Sequence, residues 1–336
     1  MSIRFGLALD FRSAVRTLDE QLARYIELIR LGERYGFESV TAGETYAARP
    51  GGGGHLPSPF LALAALAPQT RMKVGTGVTL LPAWHPLRLA YDAAVLDQLS
   101  GGRLILGVGL GTPPLYRRFG LDPERMADYA DDTLAMLRAL WTGENGFQGK
   151  YVSVEGGVGI SPIQHGGPAI WVGGSRRRSV ERAAEWGDGY IASSNYPLDT
   201  VARQSGRYRA ALRARGKDSS AAVVVANRLT LVAESEAEAR EAARAYVGAV
   251  LQSYARAGAL GDDLRTASAP PGELFEAFDT DHCLVGTPDQ VIARIRQYTD
   301  AGVTHIQARV SPADIPLEIA ARSVELLGKA VLPALQ

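Results

Sequence analysis

The strongest constraint in this chain is a rhythm: short apolar runs alternate with segments of helical period over most of its length. Each short run reads as a buried strand and each periodic segment as a helix, a pattern that marks repeated βα units around a parallel sheet. The strand runs are Ile3–Leu9, Ser39–Ala42, Met72–Leu80, Arg103–Val108, Ala169–Val172, Gly189–Ser193, Val223–Val232 and Val303–Ala308. Helical spacing follows the first at Leu18, Leu22, Tyr25 and Ile29, and the fourth at Met126, Tyr129, Thr133, Met136, Leu137 and Leu140. Further helices are expected over Pro59–Ala67, Pro86–Leu99, Ala237–Ala257, Gln290–Ala301 and Ile315–Val331. Eight strand-helix units in 336 residues predict an α/β fold, an eight-stranded β/α (TIM-type) barrel over 1–336 as one domain, with insertions near 144–166 and 258–284. The first insertion is expected as a hairpin over Lys150–Ile160, the second as a polar, mobile or lid segment reaching Asp281. In such a barrel the active site is built at the carboxyl ends of the strands and in the loops after them.

Composition narrows the chemistry. Basic and acidic residues balance at 36 each, so no summed positive field exists to hold nucleic acid or an anionic membrane surface. No run of about 18 apolar residues occurs, and Met1–Gly6 lacks a basic region followed by an apolar one, so a cytoplasmic protein is expected. Cys283 is the only cysteine, which excludes an intrachain disulfide and a cysteine-rich metal cluster. His55, His85, His165, His282 and His305 are scattered, with no His-x-His and no His-Glu-x-x-His, so no metal site is expected. The Gly-x-Ser-x-Gly elbow of a serine esterase is absent as well.

Attention therefore falls on glycines and carboxylates at strand ends. After the fourth strand comes Gly107-Val108-Gly109-Leu110-Gly111-Thr112-Pro113-Pro114. The prolines, and the placing of Asp128 and Asp131 inside a helix, disqualify a dinucleotide fingerprint, which must open directly into a helix and end its next strand on an acid. Gly107, Gly109 and Gly111 either floor a pocket for a flat ring or relieve crowding at the barrel mouth. Trp171-Val172-Gly173-Gly174-Ser175 runs into a helix beside Arg176, Arg177 and Arg178, which is either a phosphate cradle or a serine cap with solvated arginines. Gly75 and Gly77 inside the third strand mark a bulge or a close ligand approach. Asp10 and Glu44 are the best-placed carboxylates, and His55 follows four glycines in the second loop. Such carboxylates serve either chemistry or neighbouring backbone.

Several of these segments together resemble the bacterial luciferase-like flavin monooxygenases. The resemblance is carried by Arg71–Val78, His85–Ala90, Leu96–Gly109, Pro168–Gly174, Arg182–Gly189, Val285–Pro288 and Tyr298–Val303, with Leu99-Ser100-Gly101-Gly102-Arg103 its most specific part. It implies a barrel that binds reduced FMN, or alternatively coenzyme F-420, at the strand ends. It maps a non-prolyl cis peptide onto Gly77-Val78, ring contacts onto Gly107, Gly109, Gly111 and Thr112, and phosphate contacts onto Gly173, Gly174 and Ser175. It also implies a separate flavin reductase, oxygen, a small-molecule substrate and a homodimer through Pro59–Ala67 and Leu87–Leu99. The light-emitting subunit has histidine where Thr45 stands, cysteine at Gly109 and arginine at Leu110, so bioluminescence is not expected. Deazaflavin enzymes often carry Asp-His where this chain has Glu44-Thr45, which tilts the expectation toward FMN and oxygen. Glu44, Thr45 and Tyr46 are then expected to orient substrate or activated oxygen, joined by Asp10 and His55. Hydride transfer with F-420, or a non-catalytic flavin-binding subunit, remain the alternatives.

Overall fold

The computed structural model describes residues 3–13, 15–46, 56, 58–174, 176–256, 260, 268–312 and 314–336. Its strands are β1 (Arg4–Leu9), β2 (Ser39–Ala42), β3 (Lys73–Thr76), β4 (Thr79–Leu80), β5 (Leu104–Gly109), β6 (Gly146–Gln148), β7 (Ser153–Glu155), β8 (Ala169–Gly173), β9 (Gly189–Ala192), β10 (Val223–Val232), β11 (Cys283–Gly286) and β12 (His305–Arg309). Eight of them close a parallel barrel in the order β1, β2, β3, β5, β8, β9, β10, β12 and back to β1. These are the eight runs read from the sequence. Every residue of β1 after Arg4 is buried, as is all of β2, β5 and β9, because each strand is covered by helices outside and by barrel filling inside.

The helices are α1 (Leu18–Arg34), α2 (Pro59–Leu66), α3 (Pro86–Leu99), α4 (Pro113–Arg118), α5 (Met126–Trp141), α6 (Arg177–Trp186), α7 (Leu198–Ala214), α8 (Glu236–Arg256), α9 (Pro271–His282), α10 (Pro288–Asp300) and α11 (Leu317–Leu326). Local chemistry starts several of them. At α1 the backbone N–H of Thr17 donates to Glu20 at 2.9 Å, and the face carrying Tyr25, Leu28 and Ile29 then packs inward. Thr287 and Gln290 repeat the device at α10.

The barrel interior is filled from below. Ile105, Trp171, Ile191 and Val225, each from a different strand, form one cluster, and Gln307 donates to Ser39 Oγ at 2.8 Å beside it. The Leu96–Arg103 stretch closes the amino-terminal face. Asp97, fully buried, accepts the Leu104 N–H at 3.3 Å and both the N–H and the side-chain amide of Gln164 at 3.0 and 2.7 Å. Arg103 donates to the carbonyls of Met72 and Ala67. The most specific motif of the sequence is thus architectural.

Two expectations are corrected. The hairpin is β6 with β7, four residues earlier than Lys150–Ile160, because Asp132 accepts the N–H groups of Tyr151 (2.6 Å) and Val152 (3.1 Å) and fixes the turn there. The stretch up to Asp281 is, over its described part, not a loose insertion: α9 occupies Pro271–His282, and β11 extends β10 after it. Leu274 and Phe275 are buried, while Glu276 and Asp279 pair with Arg240, Arg244 and Arg294. The sequence looked polar because one face of this helix serves ion pairs.

Candidate active site

A cavity of about 200 Å³ opens beyond the carboxyl ends of the strands. Residues Ala8 to Arg12 from β1 and its loop line it, as do Thr41, Gly43, Glu44 and Thr45 around the end of β2, and Gly77 and Val78 between β3 and β4. The far wall holds Ser193 and Ser194 after β9, Asn227 of β10, Arg309 of β12 and Tyr254, which α8 brings to the mouth. Asp10, Glu44, Thr45, Gly77 and Val78 are therefore brought together as the sequence suggested. Tyr46 stands behind them, bonded to Glu44. His55 and Ser175 lie outside the described residues. Gly107, Gly109, Gly111, Thr112, Gly173 and Gly174 are not among the lining residues.

The Gly77-Val78 peptide is cis, as expected from the resemblance. It is stitched to the end of β2 from both sides: the Gly77 N–H donates to Ala42 O at 2.8 Å, and the Glu44 N–H to Val78 O at 3.0 Å. Glu44 completes the seam. Its carboxylate, almost fully buried, accepts the Leu80 N–H at 2.7 Å, the Trp84 indole N–H at 2.9 Å and the Tyr46 hydroxyl. Burial pushes its pKa up, and these three donors only partly counter that.

β5 passes directly behind this segment. A Cβ on Gly107 would overlap the Thr76 carbonyl oxygen, and one on Gly109 would sit 3.1 Å from the Val78 side chain. Gly107 and Gly109 thus let β5 approach the β3 to β4 link.

Asp10 carries the densest electrostatics. Arg12 donates to it through Nε at 2.8 Å and Nη2 at 2.7 Å, and Arg309 Nη2 lies 2.8 Å away. Burial alone would raise its pKa, but the two guanidiniums outweigh it and hold the carboxyl far below the usual range. At α6, Arg177 pairs with Glu181 at 2.7 Å and Arg178 with Asp131 at 2.6 Å, while Arg176 at the N-cap has no ion-pair partner among the described residues. Gly174 has φ +144°, and a side chain there would meet Ser179 Oγ at 2.5 Å.

Arg12, Ser194, Asn227, Tyr254 and Arg309 escaped the sequence reading. Asn227 and Arg309 left a signal, since each is a polar residue inside or at the end of an apolar strand run. Tyr254 left none, being one aromatic on a long helix.

No group of three or more His, Cys, Asp or Glu able to hold a metal occurs among the described residues, and no described helix is long and apolar enough to cross a membrane. A closed parallel barrel with a polar chamber at its strand ends defines the class of β/α-barrel enzymes that act on small molecules. The chain belongs to the luciferase-like monooxygenase family, whose profile matches residues 3–305. It is 28% identical over 342 residues to the 5,10-methylenetetrahydromethanopterin reductase of Archaeoglobus fulgidus, covering 93% of this chain and 97% of the relative. It is 29% identical over 252 residues to the oxygenase component of the flavin-dependent trigonelline monooxygenase of Acinetobacter baylyi, covering 72% and 68%. The F420-dependent glucose-6-phosphate dehydrogenase 2 of Rhodococcus jostii is 26% identical over 292 residues, covering 84% and 86%. Among solved structures, a monooxygenase from Streptomyces bottropensis superposes with a TM-score of 0.83 at 28% identity, over 99% of both chains. Relatives named for flavin and for F420 thus both match this chain over more than two thirds of its length.

Proposed function

We propose that this protein is the oxygenase of a two-component system, taking reduced FMN from a separate flavin reductase and using oxygen to oxidise a small organic substrate. The observation that carries the binding of a flavin-type ring is the orphaned acceptor Asn227 Oδ1, buried at the cavity wall without a partner among the described residues. A flavin or deazaflavin ring carries an N–H to satisfy it. Bound there, reduced FMN supplies electrons to oxygen, whereas reduced F-420 supplies hydride. The chain's own residues do the rest. Gly43, Gly77 and Val78 offer a close backbone wall, which Gly107 and Gly109 support from behind, with Gly111 and Thr112 continuing that loop. Glu44 and Tyr46 hold the wall in place and Thr45 faces the chamber. Leu9, Phe11 and Leu56 keep water out. Gly173, Gly174 and Arg176, at the amino end of α6, take the phosphate. The similarity to a flavin-dependent oxygenase component and to a solved monooxygenase supports oxygen chemistry. The F420-dependent relative supports hydride transfer as the second reading. A homodimer through α2 and α3 fits the exposure of Leu61, Val95 and Leu99 on these helices.

The test is anaerobic titration with reduced FMN and, separately, reduced F-420, followed by oxygen-uptake assays. NADPH plus FMN should give negligible turnover until a flavin reductase is added, and chemically reduced FMN should replace it. Tight binding of reduced F-420 with no binding of reduced FMN would promote the hydride-transfer reading instead.

A further inference from the structure

Three elements distant in sequence meet at one hydroxyl. Tyr254, from α8, receives a hydrogen bond from Arg309 Nη1 of β12 at 2.7 Å, and its oxygen lies 2.7 Å from Ser194 Oγ, just after β9. The Arg12 guanidinium sits 5.7 Å from the Tyr254 ring centroid. Arginine has only donors, so the Tyr254 oxygen is the acceptor in the first bond. Its single hydrogen remains available for Ser194, and in that 2.7 Å bond either hydroxyl can be the donor. Ser194 in turn has no other hydrogen-bond partner among the described residues, and it lines the cavity. In the arrangement in which Tyr254 donates, Arg309 holds the phenol oxygen at one end of the chain and the Ser194 O–H is left to face the cavity at the other.

We propose that Tyr254 and Ser194 form a proton relay that delivers one hydrogen to an oxyanion developing on the substrate in this cavity. The proposal rests on the cavity being the reaction chamber, and it applies to a carbonyl substrate under either chemistry, since addition of hydride or of a peroxide oxygen to a carbonyl places negative charge on the substrate oxygen. The Ser194 O–H bond breaks as a new O–H bond forms on the substrate. The Tyr254 O–H breaks as that of Ser194 is restored. No electrons change hands, and the negative charge ends on the Tyr254 phenolate beside Arg309 and Arg12. Water entering as product leaves returns the proton. Ser194 is the catalytic residue of the pair and Tyr254 the positioning one.

The surroundings support this direction of flow. Burial would raise the Tyr254 pKa, yet the charges of Arg309 and Arg12 and the Ser194 bond outweigh it and bring it below the ordinary phenol value, with Asp10 opposing them. Tyr25, Tyr46, Tyr116, Tyr129, Tyr190, Tyr208 and Tyr298 are all pushed the other way.

The experiment is a pH titration of the ligand-free protein with 13Cζ-labelled tyrosine, read by NMR, on wild type, Tyr254→Phe, Ser194→Ala and Ser194→Thr. The Tyr254 resonance, identified by its absence from Tyr254→Phe, should ionise below the ordinary tyrosine value of about 10, move upward in Ser194→Ala and return in Ser194→Thr. A Tyr254 resonance that titrates at or above the ordinary value overturns the relay, as does one indifferent to Ser194→Ala. Anaerobic binding of reduced FMN and reduced F-420 is measured on the same samples. Failure of both to bind removes the functional reading, while the titration decides the relay by itself.

Discussion

Arg309 Nη2 lies 2.8 Å from Asp10 Oδ2, so an ion pair joins the last strand of the barrel to the first, at the rim of the cavity. Asp10 also holds Arg12, and its side chain is only 2% exposed. This ion pair adds to the β1 to β12 backbone ladder that closes the barrel, and sets much of the charge at the chamber rim.

Asp10→Asn leaves two guanidiniums without their counter-ion and should cost about 3 kcal/mol near neutral pH. Because the folded-state pKa is depressed, this contribution is present above the ordinary aspartate range and is lost as pH falls below about 4. Urea denaturation of both proteins should show the gap narrowing in that acid range. A gap independent of pH would mean that Asp10 acts through packing alone.

His305 predicts a second, separate window. Burial first, then the charges of Arg4 and Lys73, push its pKa down to about 4. The ring stays neutral in the fold but protonates in the unfolded chain near 6.5, so stability is full above that value and falls by about 3 kcal/mol as pH drops toward 4. His305→Gln should make the stability curve shallower between those limits, measured by chemical denaturation at each pH.

The two-sided test of crowding is Gly107→Ala against Gly206→Ala. The first places a methyl on the Thr76 carbonyl and should lose about 3 kcal/mol or more. The second has open space on the exposed face of α7 and should gain about 1 kcal/mol. Thermal melts of both variants check the contrast.

For the phosphate, if it is bound at α6 as proposed, Arg176→Ala should weaken FMN binding about tenfold while leaving riboflavin, which has no phosphate, unchanged. Gly174→Asp is a poorer probe, since its side chain collides with Ser179 before any charge acts. Equal losses for both ligands by fluorescence titration would place the phosphate elsewhere.

What the sequence disclosed follows the range of the forces involved. β1 and β5 were readable because a strand buried on both sides must be apolar throughout, a property of the strand itself. Asp10 and Glu44 were visible because a carboxylate at the end of such a run is conspicuous. What Glu44 bonds to was not visible, because Leu80 and Trp84 arrive from a separate unit. Tyr254 and Ser194 are 60 positions apart and meet only once the barrel closes. The α9 helix was missed because Glu276 and Asp279 look like solvent-facing residues until Arg240 and Arg294 are placed against them.

β10 runs for ten residues and pairs in turn with β9 at Val223–Ala226, with β12 at Val225–Leu229 and with β11 at Leu229–Val232. A single inserted or deleted residue there would shift three ladders at once and turn Asn227 from the chamber toward the helices. The strand works as a ruler for the whole barrel, whereas a change of length in the β6 to β7 hairpin would put only one pairing at stake.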